Sequence, residues 1–182
     1  MTADAKLASL LQDHAGAVDE FFHRAGGVTS GRWNLPRRDG KWSPAQEVKH
    51  VILAYEAFIR DLEGGEPMKL VGTRFKRMLW RAVGLTMIIR GKRLPRGARA
   101  PRESRPAEGE HEQQALLNEF RDRTTRFESL YREVWQRTPG RTVTHPYFGQ
   151  LDLVDAMKMC TVHTRHHAAV LPPPGARQNI GA

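Results

Sequence analysis

In four long stretches of the chain, apolar residues return every third or fourth position, the repeat of one face of an α-helix. Leu7, Leu11, His14, Val18, Phe21 and Ala25 form the first stripe, which predicts a helix over Ala3 to Ala25, stopped by Gly26 and Gly27. The second starts where Ser43 can cap, Pro44 suits the first helical position and Gln46 completes a capping box. It carries Val48, Val51, Ile52, Tyr55, Phe58, Ile59 and Leu62 as far as Gly64 and Gly65. The third spans Glu110 to Arg137, with Leu116, Phe120, Phe127, Leu130, Tyr131 and Val134 on one side, and ends at Pro139-Gly140. The fourth covers Leu151 to Leu171 and is halted by Pro172-Pro173-Pro174, so residues 172–182 read as a flexible tail. No segment alternates convincingly with the period of a strand. The pattern predicts an all-α, four-helix bundle, and a chain of 182 residues suits one such domain over residues 1–171.

The connections refine this picture. Short loops join the first helix to the second and the third to the fourth, whereas Gly64 to Gly109 separate the second from the third. A connector of that length can return along the bundle and leave the second and third helices parallel. Part of it is itself helical. Arg74 to Ile89 mixes Phe75, Met78, Leu79, Trp80, Val83, Leu85, Met87 and Ile88 with basic residues, too charged and broken to span a bilayer. Between Lys69 and Pro106, twelve Lys or Arg stand against one acid, Glu103, so this crossover holds the whole excess behind the net charge of +9. Such a segment could serve an anionic membrane surface, and its charge could attract nucleic acid. No helix-turn-helix, zinc-finger or RNA-binding signature accompanies the charge, which argues against nucleic acid. The simplest reading, preferred here to peripheral membrane contact, is a solvated cover whose apolar side packs down on the bundle.

Cys160 is the single cysteine, which excludes an internal disulfide, a zinc ribbon and CxxC redox chemistry. Met1 to Ala15 lacks the basic region and unbroken apolar run of a signal peptide, so a cytoplasmic protein is expected. Phosphoryl transfer and serine hydrolysis have no support, because no Gly-rich phosphate loop, paired catalytic carboxylates or Ser-His-Asp pattern is visible.

Histidines carry the remaining chemistry. His163 and His167 fall in the apolar arc of the fourth helix with Leu153, Met157, Cys160, Thr164 and Leu171, while His166 points elsewhere. A spacing of four stacks two imidazoles on one face and lets both reach a single divalent cation. A core can equally hold such a pair hydrogen-bonded to backbone or carboxylate, and the pair alone does not decide. His50 is the candidate for a third ligand. It lies about 9 Å along its helix from Pro44, while His167 and His163 lie about 6 and 12 Å from Leu171, at 1.5 Å per residue. If the second and fourth helices run antiparallel, all three share one level. His50 sits at the margin of its apolar arc, beside Ala54, as a ligand near a solvent-open mouth would.

Two further features point the same way. The run Asp39-Gly40-Lys41-Trp42-Ser43-Pro44-Ala45-Gln46-Glu47-Val48-Lys49-His50 resembles the start of the second helix in the DinB-like superfamily. His145-Pro146-Tyr147-Phe148-Gly149, then Leu151, then His163-Thr164-Arg165-His166-His167 is similar to that family's final loop and helix. The resemblance covers residues 33–62 and 145–171 well and the first helix loosely, and the basic crossover has no matching counterpart. It implies an up-down-down-up bundle and a divalent metal, typically zinc or nickel, on three histidines, which are His50, His163 and His167 here. It also implies a homodimer and thiol-dependent transferase or isomerase relatives that use bacillithiol or mycothiol.

Three neutral imidazoles leave a cation its full charge and an open position where a water or a substrate thiol is activated. The expected function is therefore that of a metal-dependent enzyme, a thiol transferase or a hydrolase, activating water or a low-molecular-weight thiol for transfer to a small electrophile. The alternatives are a bundle that keeps its metal without turnover, or a module that binds anionic surfaces through residues 69–105. No HExxH supplies an obvious general base. Glu47, one turn before His50, could orient that ring, though a solvated acid favouring the helix dipole is the simpler reading. Cys160 could add a soft ligand, against the simpler reading of a small buried core residue. His14 could line the pocket or be a satisfied core histidine. Trp33, Trp42, Tyr147 and Phe148 flank the expected metal end, as pocket walls or as caps of the bundle.

Overall fold

The computed structural model describes residues 2–38, 40–91, 94 and 100–172. The expected tail lies outside these except for Pro172, as do residues 92–93 and 95–99 of the crossover. The described chain is mostly helical, with one small antiparallel hairpin. Helix α1 runs Ala3–Gly26, the one-turn α2 Ser30–Trp33, α3 Pro44–Leu62, α4 Arg74–Leu79 and α5 Thr86–Gly91, with a π-helical segment Trp80–Leu85 linking the last two. A 3-10 turn, Arg102–Ser104, precedes α6, Gln113–Arg137, and α7 spans Leu153–Val170. Strands β1, Thr142–His145, and β2, Gly149–Asp152, stand between α6 and α7. None of these helices is long and apolar enough to cross a membrane.

Each long helix starts at a side-chain oxygen that satisfies the first unpaired backbone donors. Thr2 Oγ1 accepts from the Ala5 N–H, and the Ser43 hydroxyl and Gln46 form the reciprocal capping box expected from their spacing. Glu112 caps α6 and Asp152 caps α7. The apolar stripes then turn inward. Phe21, Val48, Val51, Ile52, Phe120, Phe127, Tyr131 and Met157 are sealed in a single core.

Helix α1 packs chiefly on α7, and α3 on α6. Three ion pairs step along the second contact: Lys49 to Glu119 at 2.7 Å, Glu56 to Arg123 at 2.9 Å, and Glu63 to Arg126. Both partners advance together, so α3 and α6 run in the same direction. The contacts of α3 with α7 are reversed, since Glu47 meets His167 while His50 meets His163.

The hairpin is a departure from the all-helical expectation. Its strands have four residues each and pair Thr142 with Asp152 through His145 with Gly149, too short for alternation to register in the sequence. Gly149 closes the turn at φ 71, a left-handed conformation that disfavours residues with a Cβ. Buried Asp61 at the end of α3 ties the hairpin down, accepting from the Thr144 N–H at 2.7 Å while Arg141 bonds its carbonyl. Pro146, Tyr147 and Phe148 in the turn are thereby fixed beside α7.

The crossover differs more. Leu85 and Ile88 pack inward, but Phe75, Met78, Leu79, Trp80, Val83 and Met87 all face solvent. The expected cover with its apolar side packed down is not what the chain builds here.

Candidate metal centre

The capping box places His50 on the second turn of α3, and the four-residue spacing places His163 and His167 on successive turns of α7. The opposed direction of the two helices brings these rings together. Ring centroids are 5.0 Å apart for His50 and His163, 4.6 Å for His50 and His167, and 4.6 Å for His163 and His167. One nitrogen from each lies within 4.8 Å of the other two. His50 Nε2 and His163 Nε2 approach to 3.0 Å. Nitrogens bound to one tetrahedral zinc at 2.0–2.1 Å sit about 3.3 Å apart, so the spacing suits a shared small cation.

Two contacts behind the rings orient them. His50 Nδ1 donates to the Ser104 carbonyl at 2.5 Å, and His167 Nδ1 donates to Glu47 Oε2 at 2.7 Å. A proton held on Nδ1 leaves the Nε2 lone pair free to bind a metal, the arrangement that carboxylate and carbonyl partners impose on metal-binding histidines. Burial disfavours the charged ring, holding His50 below its ordinary pKa and His163 and His167 well below it. All three are neutral donors at neutral pH.

Glu47 differs from its simplest sequence reading. It is 4% exposed, bonds His167 and not His50, and pairs with Arg37 Nη2 at 2.9 Å. Burial raises its pKa, and the Arg37 guanidinium opposes that shift. Arg37 lies in the loop before α3, where no pattern in the sequence marks it. Ser104, the partner of His50, comes from the crossover and was equally invisible, because its contribution is a backbone carbonyl. His50 is itself 4% exposed, so the solvent-open mouth is not where it sits.

The rings open on a cavity of about 460 Å³. Trp42, its ring tilted 43° to His50 at a centroid distance of 4.8 Å, lines the cavity with Tyr147 and Phe148 of the hairpin turn. Met68, Trp80, Ile88 and Ser104 from the crossover also line it. Cys160 reaches the cavity but is not among the side chains whose ligand atoms converge, and burial pushes its thiol up. His166, expected to point away, lines the cavity and packs edge-on 5.1 Å from His167. His145 also lines it, stacked at 4.6 Å on Phe148 and pushed by burial down to about 3.

Two expected wall residues lie elsewhere. His14 is a satisfied core histidine: its ring bonds Glu128 and the Tyr55 hydroxyl, each at 2.8 Å, and Tyr55 bonds Thr164 at 2.7 Å. Only Tyr55 of that chain touches the cavity. Trp33 is buried against the start of α6, its indole N–H donating to the His111 carbonyl at 2.8 Å.

The family model of the DinB superfamily matches residues 15–171. No curated protein matches the chain. Among solved structures, the chain is similar to the crystal structure of a mycothiol-dependent maleylpyruvate isomerase, with a TM-score of 0.56 and 13% identity. The match covers 97% of this chain and 62% of that one, so the chain corresponds to less than two thirds of its neighbour's length.

Proposed function

The chain belongs to the DinB superfamily, and from that premise and the convergence of three imidazoles we propose a metal-dependent enzyme that transfers a low-molecular-weight thiol or water to a small electrophile. His50, His163 and His167 would hold the divalent cation, zinc or nickel, within one up-down-down-up bundle formed by residues 1–171. The parallel course of α3 and α6 supports that topology. A cation held there supplies Lewis acidity, which keeps a bound water or thiol ionised near neutral pH.

The chain's own residues do the rest. Glu47 and the Ser104 carbonyl fix the proton on Nδ1 of His167 and His50, so both rings present Nε2 to a common point. Trp42 packs against the His50 ring and helps to hold its orientation. Phe148 and Ile88 provide apolar walls that receive a small organic electrophile. His145 accepts the Tyr147 N–H at Nδ1, 3.3 Å away, so its neutral ring carries a proton on Nε2. From there it can donate a hydrogen bond to an oxygen that gains charge on the electrophile.

The observation that carries this reading is the pair of supported Nε2 atoms facing His163 at the floor of a substrate-sized cavity. The test is a screen of metal-loaded protein with thiols and electrophiles, beginning with mycothiol and maleylpyruvate, the pair named for the structural neighbour. Product formation should require both metal and thiol or water, and should fall at least about a thousandfold in His163→Ala, as when a main source of transition-state charge stabilisation is lost. Equal turnover in that variant would reject the assignment.

A further inference from the structure

The segment from Arg74 to Gly91 turns its amphipathic pattern inside out. Its inward line is Arg77, Arg81, Gly84, Leu85 and Ile88, all at least half-buried. Its outward line is Phe75, Met78, Leu79, Ala82, Val83, Thr86 and Met87, at the same alternation of three and four residues, and every member is exposed. Phe75 is 68%, Met78 62% and Met87 67% exposed, so large apolar side chains stand in water with nothing packed on them. The adjoining chain contributes Leu70 and Val71, also exposed. Of the nine large exposed apolar residues among the described ones, only Leu35 lies outside residues 70–87. A contiguous patch of this kind marks an interaction surface.

Charge identifies the occupant. Lys69, Arg74, Lys76 and Arg90 flank the stripe, Arg77 and Arg81 stand behind it, and no acid occurs between Lys69 and Arg102. Two copies meeting through this face would bring their cations together. An enveloping groove on an acidic protein needs access all round the helix, yet Leu85 and Ile88 are buried on the chain's own fold. A nucleic acid would meet the cations and leave the apolar stripe unburied. A flat, anionic, apolar-cored surface satisfies every feature. We propose that residues Arg74–Gly91 form a docking surface for anionic lipid bilayers, with Phe75, Met78, Leu79, Val83 and Met87 set into the headgroup boundary and the Arg and Lys side chains reaching back to lipid phosphates.

The experiment is co-sedimentation of the full chain with vesicles of phosphatidylcholine alone and of phosphatidylcholine mixed equally with phosphatidylglycerol. Binding to the mixed vesicles and not to phosphatidylcholine alone is expected, weakening with salt. Arg74→Gln with Lys76→Gln should lower partitioning by about fivefold per charge, the effect of one cation near an anionic surface. Leu79→Ser with Val83→Ser should lower it by at least about tenfold. These side chains are exposed, so circular dichroism and the thermal midpoint should not change. Failure to sediment with the mixed vesicles at low salt overturns the proposal, as does sedimentation indifferent to the Leu79 and Val83 substitutions. A dimer that the same serine variant dissociates, or tighter binding to duplex DNA than to vesicles, assigns the face to another occupant and also overturns it.

Discussion

The long helices and the crossover between α3 and α6 draw on the same apolar and basic residues but turn them in opposite directions. In α1, α3, α6 and α7 the apolar line is sealed and the charges stand outside, whereas from Arg74 to Gly91 most of the apolar line stands outside. Hydrophobic periodicity thus shows that a helix has an apolar face and leaves open what that face meets. A bundle helix buries its whole apolar line against its neighbours, whereas the crossover is anchored at points such as Met68, Leu85, Ile88 and the Val71 N–H bond to the Pro146 carbonyl. The two regions meet at the cavity, one supplying the histidines and the other the Ser104 carbonyl and an apolar wall.

The largest effect that separates the two regions is on stability. Phe120→Ala, in the sealed core, should cost about 3–5 kcal/mol in urea denaturation, while Phe75→Ala should change it by less than about 0.5 kcal/mol. A comparable loss at Phe75 would mean that the crossover stripe is packed after all. Next is the support behind the site. Glu47→Gln should weaken metal binding about 10–100-fold by calorimetry because His167 loses its carboxylate, whereas Leu79→Ser on the crossover should leave it unchanged. Equal affinities in the wild type and the glutamine variant would reduce Glu47 to a partner of Arg37.

A further effect concerns pH. His145 is held to about 3 in the folded chain, against about 6.5 when unfolded, and burial lowers His50, His163 and His167 as well. Below about pH 6.5 the unfolded chain therefore binds more protons than the folded one, and the metal-free protein loses stability as pH falls from there towards 3. Each such histidine contributes up to about 1.4 kcal/mol per pH unit. Glu47, raised by burial, acts in the opposite sense as pH rises above 4.5 and offsets part of the slope. Urea midpoints at several pH values measure the slope, and His145→Leu should flatten it.

Much of this was legible in the sequence, and the pattern of what was not has physical reasons. The start of α3 followed from Ser43, Pro44 and Gln46, because capping is local chemistry. The convergence of His50 with His163 and His167 followed from helical rise and an assumed antiparallel pairing, both properties of regular structure. The hairpin did not, since four-residue strands carry no periodicity and its anchor is the distant Asp61. Nor did the partners of the histidines, because Glu47 reaches across to His167 and Ser104 acts through its backbone. His166 was misplaced because the cavity extends round α7 beyond its apolar arc, as far as His145 and Phe148. His14 faced inward as expected, but its ring is already satisfied by Glu128 and Tyr55.

The account stands on one shared coordination point for three rings from two helices. Metal content of the purified protein by plasma mass spectrometry, beside His50→Ala, His163→Ala and His167→Ala, tests it directly. One equivalent of zinc or nickel per chain in the wild type, with marked loss in each of the three variants, is the predicted result. Full occupancy retained in any one of them would contradict it.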